Sequence, residues 1–135
     1  SMSEEKAMAR ILRAVENLYT TILCHPTGRL LLSRNGYPVD HSRLIDACAK
    51  HQVVIELNAH PRRLDMDGAF IPEALEKNVL ISIDPDAHAL EGFDDIRFGV
   101  LAAQRGGLTA AQNLSSFTLN EFETFLAARR KAKGI

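Results

Sequence analysis

Three short apolar runs alternate along this chain with segments of helical periodicity, and this alternation is the feature that most restricts its fold. The runs occupy residues 20–23, 53–57 and 79–83, and each is rich in β-branched or aliphatic side chains. Apolar residues recur at helical spacing before, between and after these runs. Strands that alternate with helices form a parallel sheet through right-handed crossovers. We therefore predict an α/β fold of about three parallel strands with flanking helices.

Capping signals mark where the helices begin and end. Ser3 and Asp40 each precede a helical stripe, and a proline at position 72 begins a short third helix. A fourth helix follows the third strand and ends at the glycine pair 106–107. A capping box at residues 118–121 precedes a last helix, whose apolar stripe begins at Leu119. The predicted order of elements is therefore α-β-α-β-α-β-α-α.

Size and charge exclude several classes of protein. The 135 residues suffice for one domain, and a net charge of -1 provides no overall basic field for nucleic acid, although the arginines could cluster locally. Two distant cysteines do not form a disulfide framework, which favours a reducing cytoplasm. No apolar stretch is long enough to span a membrane. We interpret residues 1–2 as a cloning remnant and residues 3–135 as the fold.

Metal-ligand chemistry follows the first and third runs. His25 ends the first, and Asp86 and His88 follow the third. If the chain stays extended there, the side chains of Asp86 and His88 point the same way. A carboxylate and an imidazole together suit zinc, manganese or iron. Taken alone, each signal favours a structural role over a metal-ligand role. The aspartate would cap the next helix, and the histidine at the end of the first run would be packed and hydrogen-bonded.

The loop after the second run adds further polar candidates. Asn58 and His60 could line the same mouth of the sheet, where sites of α/β folds usually form. Arg63 could bind phosphate bidentately, or it could form a structural pair with Asp65, and we weigh the two equally. Glu56, within the apolar run, could support a metal ligand, but a paired or rim charge is the preferred reading.

Other polar residues are expected to have structural or surface roles. Cys24 alternates with His25 along the first strand, so we expect it to face the opposite side and to pack. His41 and His51 flank the second helix, and we expect both on the surface. The sequence contains no phosphate-binding glycine loop, no dinucleotide fingerprint and no paired C-x-x-C, so nucleotide cradles and structural zinc are unsupported.

Taken together and in order, several segments resemble a known family. The chain resembles the C-terminal part of the polymerase-and-histidinol-phosphatase (PHP) domain of bacterial and archaeal family X DNA polymerases, from about Ser3 to the end. The segments that carry the resemblance are H-P-T-G-R-L-L at 25–31, E-L-N-A at 56–59, R-L-D at 63–65, D-A-H at 86–88, R-F-G-V at 97–100 and R-G-G at 105–107.

The resemblance implies a distorted (β/α) barrel of the PHP type, of which this chain would be a partial barrel, incomplete without the upstream half. The family binds up to three metal ions, here expected to be manganese, zinc or iron, at the mouth of the barrel. His25, Asp86 and His88 match three of the family's nine ligands. The other six would lie upstream of Ser3.

The activity implied by the resemblance is metal-dependent phosphodiester hydrolysis, as a 3′–5′ exonuclease and 3′-end-processing function in DNA repair. DNA would be the partner, with Arg29 and Arg63 as candidates for contacting its backbone. The fragment alone is expected to be weakly active or inactive, and another copy of the chain could cover its open barrel edge. Two alternatives stay open: a phosphatase of the same superfamily for a small phosphoester, and a non-catalytic binding or structural remnant.

Overall fold

The computed structural model describes residues 2–135, and its elements follow the predicted order; Ser1, half of the expected cloning remnant, lies outside the described residues. The helices and strands are α1 Glu4–Glu16, β1 Ile22–Leu23, α2 His41–His51, β2 Val54–Asn58, α3 Ile71–Glu76, β3 Ile81–Asp84, α4 Ile96–Arg105 and α5 Leu119–Lys133. The predicted alternation of helices and strands is confirmed. The first strand is two residues long rather than four.

The three strands form one parallel sheet in the order β1-β2-β3. Ile22 lies opposite Val54, and Ile55 lies opposite Ile81. Because all three strands run the same way, their carboxyl ends meet at one edge of the sheet. The loops that carry His25 and Asp86 therefore start from that edge, which we call the carboxyl edge, and Asn58, the last residue of β2, lies there too.

The two lateral strands of the sheet have different surroundings. A short 3₁₀ turn, Leu114–Ser116, covers the outer side of β3. The Ser115 hydroxyl accepts a hydrogen bond from the Ile83 N–H at 2.9 Å and donates one to the Ile83 carbonyl at 2.9 Å. Side-chain bonds of this kind satisfy the backbone of an edge strand. β1, only two residues long, is the lateral strand on the other side.

Packing on the sheet brings α4 unusually close to the strands. A Cβ added to Gly99 would lie 2.6 Å from both Ala59 Cβ and Ile83 Cγ2, so only glycine permits this approach. Helices α1 and α2 complete the core with fully buried aliphatic side chains. The largest of the fully buried core side chains are Met8, Leu44, Ile45, Ile55, Leu57, Met66, Ile71 and Ile81.

The last helix docks through a buried arginine. Leu119, the first residue of its expected apolar stripe, is 71% exposed, whereas Arg129 is buried. The Arg129 guanidinium donates to the backbone carbonyl of Gln52 at 3.0 Å and to that of Thr20. A buried charge needs such partners, so Arg129 joins α5 to the amino-terminal ends of β1 and β2.

His41 corrects one surface expectation. Its ring stacks on Phe70 with centroids 3.8 Å apart, and burial lowers its pKa. Its Nε2 atom is buried without a hydrogen-bond partner.

Within residues 2–135 no helix has the length and apolarity needed to cross a membrane.

Candidate functional site

His25 lies on the loop that leaves β1 at the carboxyl edge. It follows β1, with a positive φ of 49°, and its side chain is exposed. The His25 N–H donates to Glu56 Oε2 at 2.9 Å, and its ring Nδ1 lies 3.4 Å from Asn58 Nδ2. Glu56 and Asn58 share a face of β2, because alternate residues of a strand point the same way. That face therefore supports the His25 backbone and lies beside its ring.

The loop that carries His25 is held by a carboxylate that is 0% exposed. Asp65 accepts hydrogen bonds from the Thr27 N–H at 3.2 Å, the Thr27 hydroxyl at 2.9 Å and the Gly28 N–H at 2.7 Å. Gly28 has φ +64°, and a Cβ there would lie 2.9 Å from the Tyr37 ring, so the residue must be glycine. We call Asp65, Thr27 and Gly28 the Asp65 clamp.

The alternative of an Arg63–Asp65 pair is wrong. Arg63 Nε instead lies 3.1 Å from Asp86 Oδ2, in an ion pair whose side chains are both largely covered. The Asp65 carboxylate is instead occupied by Thr27 and Gly28. The ion pair ties the loop after β2 to the loop after β3.

The geometric premise for pairing Asp86 with His88 is also wrong. Asp86 has φ 55°, a left-handed conformation, so the chain is not extended there and the alternation of an extended chain does not apply. The His88 ring instead folds back, with Nδ1 2.7 Å from the Asp86 carbonyl oxygen, while the rest of the side chain is exposed.

Arg29 links two loops through its guanidinium. Its Nε donates to the Arg63 carbonyl at 2.9 Å, and Nη1 donates to Asp67 Oδ2 at 3.0 Å. Nη2 donates to the Leu64 carbonyl. Each of the three nitrogens is already bonded, so Arg29 acts here as a structural cross-link. A role in contacting DNA stays a prediction.

His60 occupies a turn directly after β2. Its N–H donates to Asn58 Oδ1 at 3.0 Å, and its ring Nδ1 accepts from the Arg62 N–H at 3.2 Å. These bonds orient the ring by its own loop. Asn58 thus connects the turn at His60 with the ring of His25.

Two acidic side chains, those of Glu56 and Asp84, and the Cys24 thiol lie near one another beside the backbone of His25. Burial raises the pKa of both Glu56 and Asp84, and for Glu56 the hydrogen bond from the His25 backbone opposes this shift. Cys24 is exposed rather than packed, which corrects the expectation from alternation. Partial burial of the thiol, followed by the charges of Glu56 and Asp84, raises the pKa of Cys24 to about 11. The thiol is therefore protonated at neutral pH and is a weak nucleophile.

The sequence carries signals for these neighbours, but their partners differ from those expected. Glu56 is a carboxylate inside an apolar run, and it is buried under His25 rather than placed at a rim. For Asp65, the sequence predicts only Arg63 as a possible partner. Its actual partners, Thr27 and Gly28, lie 38 and 37 positions away in the chain.

The donors in this part of the chain do not assemble a metal site on their own. Across residues 2–135, no group of three or more His, Cys, Asp or Glu side chains is arranged to hold a metal ion. Asp86 is already paired with Arg63, and one ring nitrogen of His88 is engaged with backbone. His25, Asp86 and His88 do not form such a group within residues 2–135, and a metal-binding role for them stays a prediction.

Part of a known bacterial protein is similar in sequence to this chain. No protein-family model matches the sequence. The chain is 38% identical over 123 residues to a Bacillus subtilis (strain 168) protein named DNA polymerase/3′-5′ exonuclease PolX. The match covers 91% of this chain but only 22% of that protein. The chain therefore spans about a fifth of the relative's length.

Proposed function

We propose that this chain forms part of a nuclease domain that removes nucleotides from the 3′ end of DNA, as a 3′–5′ exonuclease or 3′-end-processing activity attached to a family X DNA polymerase. The observation that carries the proposal is the 38% identity to the Bacillus subtilis protein, which extends over 91% of the chain. Identity of this extent makes a common fold and related chemistry the simplest explanation. DNA would be the substrate, and the reaction would be phosphodiester hydrolysis in repair.

We further propose that the three-stranded sheet is one part of a (β/α) barrel of the PHP type. Two features support this. The strands are parallel with helices between them, and the outer side of β3 is covered whereas β1 is a two-residue lateral strand. The barrel would continue beyond β1, through the upstream half of the domain in a longer polypeptide. Alternatively, a second copy of the chain would cover the outer side of β1.

For the cofactor, we propose divalent ions, manganese or zinc with iron as a third candidate, bound partly by His25, Asp86 and His88. All three side chains stand on loops from the carboxyl edge, and the His25 and His88 side chains are exposed. Because three donors do not converge within this chain, the remaining ligands would come from the upstream half. Asp86 would have to exchange its ion pair with Arg63 for the metal.

The second candidate function is a non-catalytic binding or structural module. The Arg63–Asp86 ion pair favours it, because that pair occupies a carboxylate that a metal site would need. In such a module His25 would serve only to close the loop over Glu56.

The two candidates are separated by assaying the full-length protein on 5′-labelled DNA with added manganese. The nuclease proposal predicts stepwise shortening from the 3′ end, reduced about a hundredfold or more by His25→Ala, with a matching loss of bound metal. His51→Ala, on α2, is the matched control and should leave both unchanged. If the native protein does not shorten the DNA, and His25→Ala does not change the metal content, the non-catalytic module is favoured.

A further inference from the structure

The tip of the loop between β1 and α2 presents a fully exposed leucine whose backbone conformation is unfavourable. Leu32 has φ +62° and a relative exposure of 110%. A left-handed conformation is uncommon for a residue other than glycine, asparagine or aspartate, and it costs free energy. Full exposure means that burial of the leucine does not offset this cost. Neither property helps the chain to fold, which points to a role outside folding.

The tip is held in a fixed shape. The Leu30 N–H donates to the Arg34 carbonyl at 2.9 Å, and the Arg34 N–H donates to the Leu30 carbonyl at 2.8 Å. The Leu31 N–H donates to the Arg62 carbonyl at 2.7 Å, which joins the tip to the loop after β2. Leu32 thus projects from a closed turn, and its position is pre-organised.

The same segment also carries His25. Its base is the Asp65 clamp, and the Tyr37 N–H donates to the Thr27 carbonyl at 2.7 Å, which closes the loop on itself. Leu32 and His25 therefore belong to one hydrogen-bonded loop on the carboxyl edge. A ligand that contacts the tip therefore contacts the same loop that carries His25.

Cationic side chains flank the tip. Arg34 and Arg62 are both exposed, and Arg34 uses one guanidinium nitrogen for the Gly28 carbonyl at 2.8 Å. Asp67, the acidic neighbour on this side, is paired with Arg29. The tip therefore combines an exposed apolar side chain with two exposed arginines, one within the turn and one in the loop that is bonded to it. This combination suits a ligand with flat apolar surfaces and a phosphate backbone.

We propose that Leu32 is a wedge that inserts beneath the terminal base at the 3′ end of a DNA strand, with Arg34 and Arg62 on the flanking phosphates. The inference rests on the proposed exonuclease function. Apolar side chains that enter a base step unstack it, and the freed terminal nucleotide would then extend toward His25. Leu32 is in this account a positioning residue, since it acts on the geometry of the strand end and on no reacting atom.

The test uses the full-length protein with Leu32→Gly. Glycine adopts φ +62° without strain, so this variant removes the side chain and leaves the turn intact. The probes are a blunt duplex and the corresponding single strand, each carrying 2-aminopurine as the 3′-terminal base. A terminal phosphorothioate linkage slows hydrolysis in the fluorescence measurement. Leu32→Met preserves an apolar wedge, and Leu119→Ala alters another exposed leucine, on α5.

The wedge predicts that the native protein and Leu32→Met raise 2-aminopurine fluorescence of the duplex, whereas Leu32→Gly does not. Leu32→Gly should shorten the duplex about tenfold more slowly relative to the single strand, because the paired end must now fray unaided. Leu119→Ala should match the native protein in both assays.

The outcomes separate this inference from the function on which it rests. If the native protein shortens neither DNA, the exonuclease proposal fails, and a fluorescence rise lost in Leu32→Gly still supports the wedge. If Leu32→Gly retains both the fluorescence rise and the native duplex-to-single-strand ratio, the wedge is refuted. That result would be expected if the tip docks on another part of the protein or on a lipid surface.

Discussion

Replacing Asp65 should damage this protein more than its place in a loop suggests. The carboxylate is fully buried and accepts hydrogen bonds from the Thr27 N–H, the Thr27 hydroxyl and the Gly28 N–H. Asp65→Ala leaves three donors without a partner, each costing about 1 kcal/mol or more where water cannot replace the lost acceptor. Removing the buried charge offsets part of this cost. We expect the free energy of unfolding to fall by about 3 kcal/mol.

Asp65→Asn tests the hydrogen-bond account more finely. The amide oxygen can still accept from Thr27, but the amide nitrogen would face the Gly28 N–H, so a donor would meet a donor. We expect a loss intermediate between zero and that of Asp65→Ala.

Urea denaturation measures both losses as a shift of the midpoint at constant slope. The matched control is Asp46→Ala. The Asp46 carboxylate lies 2.6 Å from Lys77 Nζ but is largely exposed, so its removal should cost less than about 1 kcal/mol. If Asp65→Ala costs no more than Asp46→Ala, the clamp does not stabilise the loop and the reasoning is refuted.

Three further predictions concern the helices. Burial lowers the pKa of His41 from its usual value of 6.5 in the folded protein. The unfolded chain therefore binds a proton at His41 more readily than the folded protein does. The stability that this group contributes is lost as the pH falls through the folded pKa. His41→Phe keeps the stack on Phe70 and should flatten the dependence of urea midpoints on pH below 6.5; parallel native and variant curves would contradict this. Gly99→Ala should cost about 1–3 kcal/mol by forcing α4 off the sheet, and an unchanged thermal midpoint would show that the helix shifts freely. Arg129→Leu should lower the free energy of unfolding, measured in urea, by about 2 kcal/mol or more, because it leaves two backbone carbonyls without a donor. Substitution of its exposed neighbour, Arg130→Leu, should change the free energy of unfolding very little. Equal effects of the two substitutions would contradict the role of Arg129 in docking α5.

Local signals were enough to predict the elements and several of their ends. Asp40 caps α2 by accepting from the Arg43 N–H at 3.0 Å, and Thr118 and Glu121 form the expected capping box at α5. Caps are predictable because both partners lie within one turn of chain. The docking of α5 could not be predicted in this way, because its buried residue is Arg129. Periodicity alone does not indicate that a charged side chain will bond to carbonyls that are distant in the chain.

The candidate site likewise has features that the sequence predicts and features that depend on the tertiary structure. The sequence alone determined that the parallel strands end at one edge, and so that His25, Asn58 and Asp86 would lie at neighbouring strand ends or on the loops after them. Only the tertiary structure decided the partners: Asp65 bonds Thr27 rather than Arg63, and Arg63 takes Asp86. The reason is physical. Burial pattern is periodic along the chain and can be read locally, whereas a carboxylate bonds whichever donor lies within about 3 Å, and that distance exists only after the loops have packed.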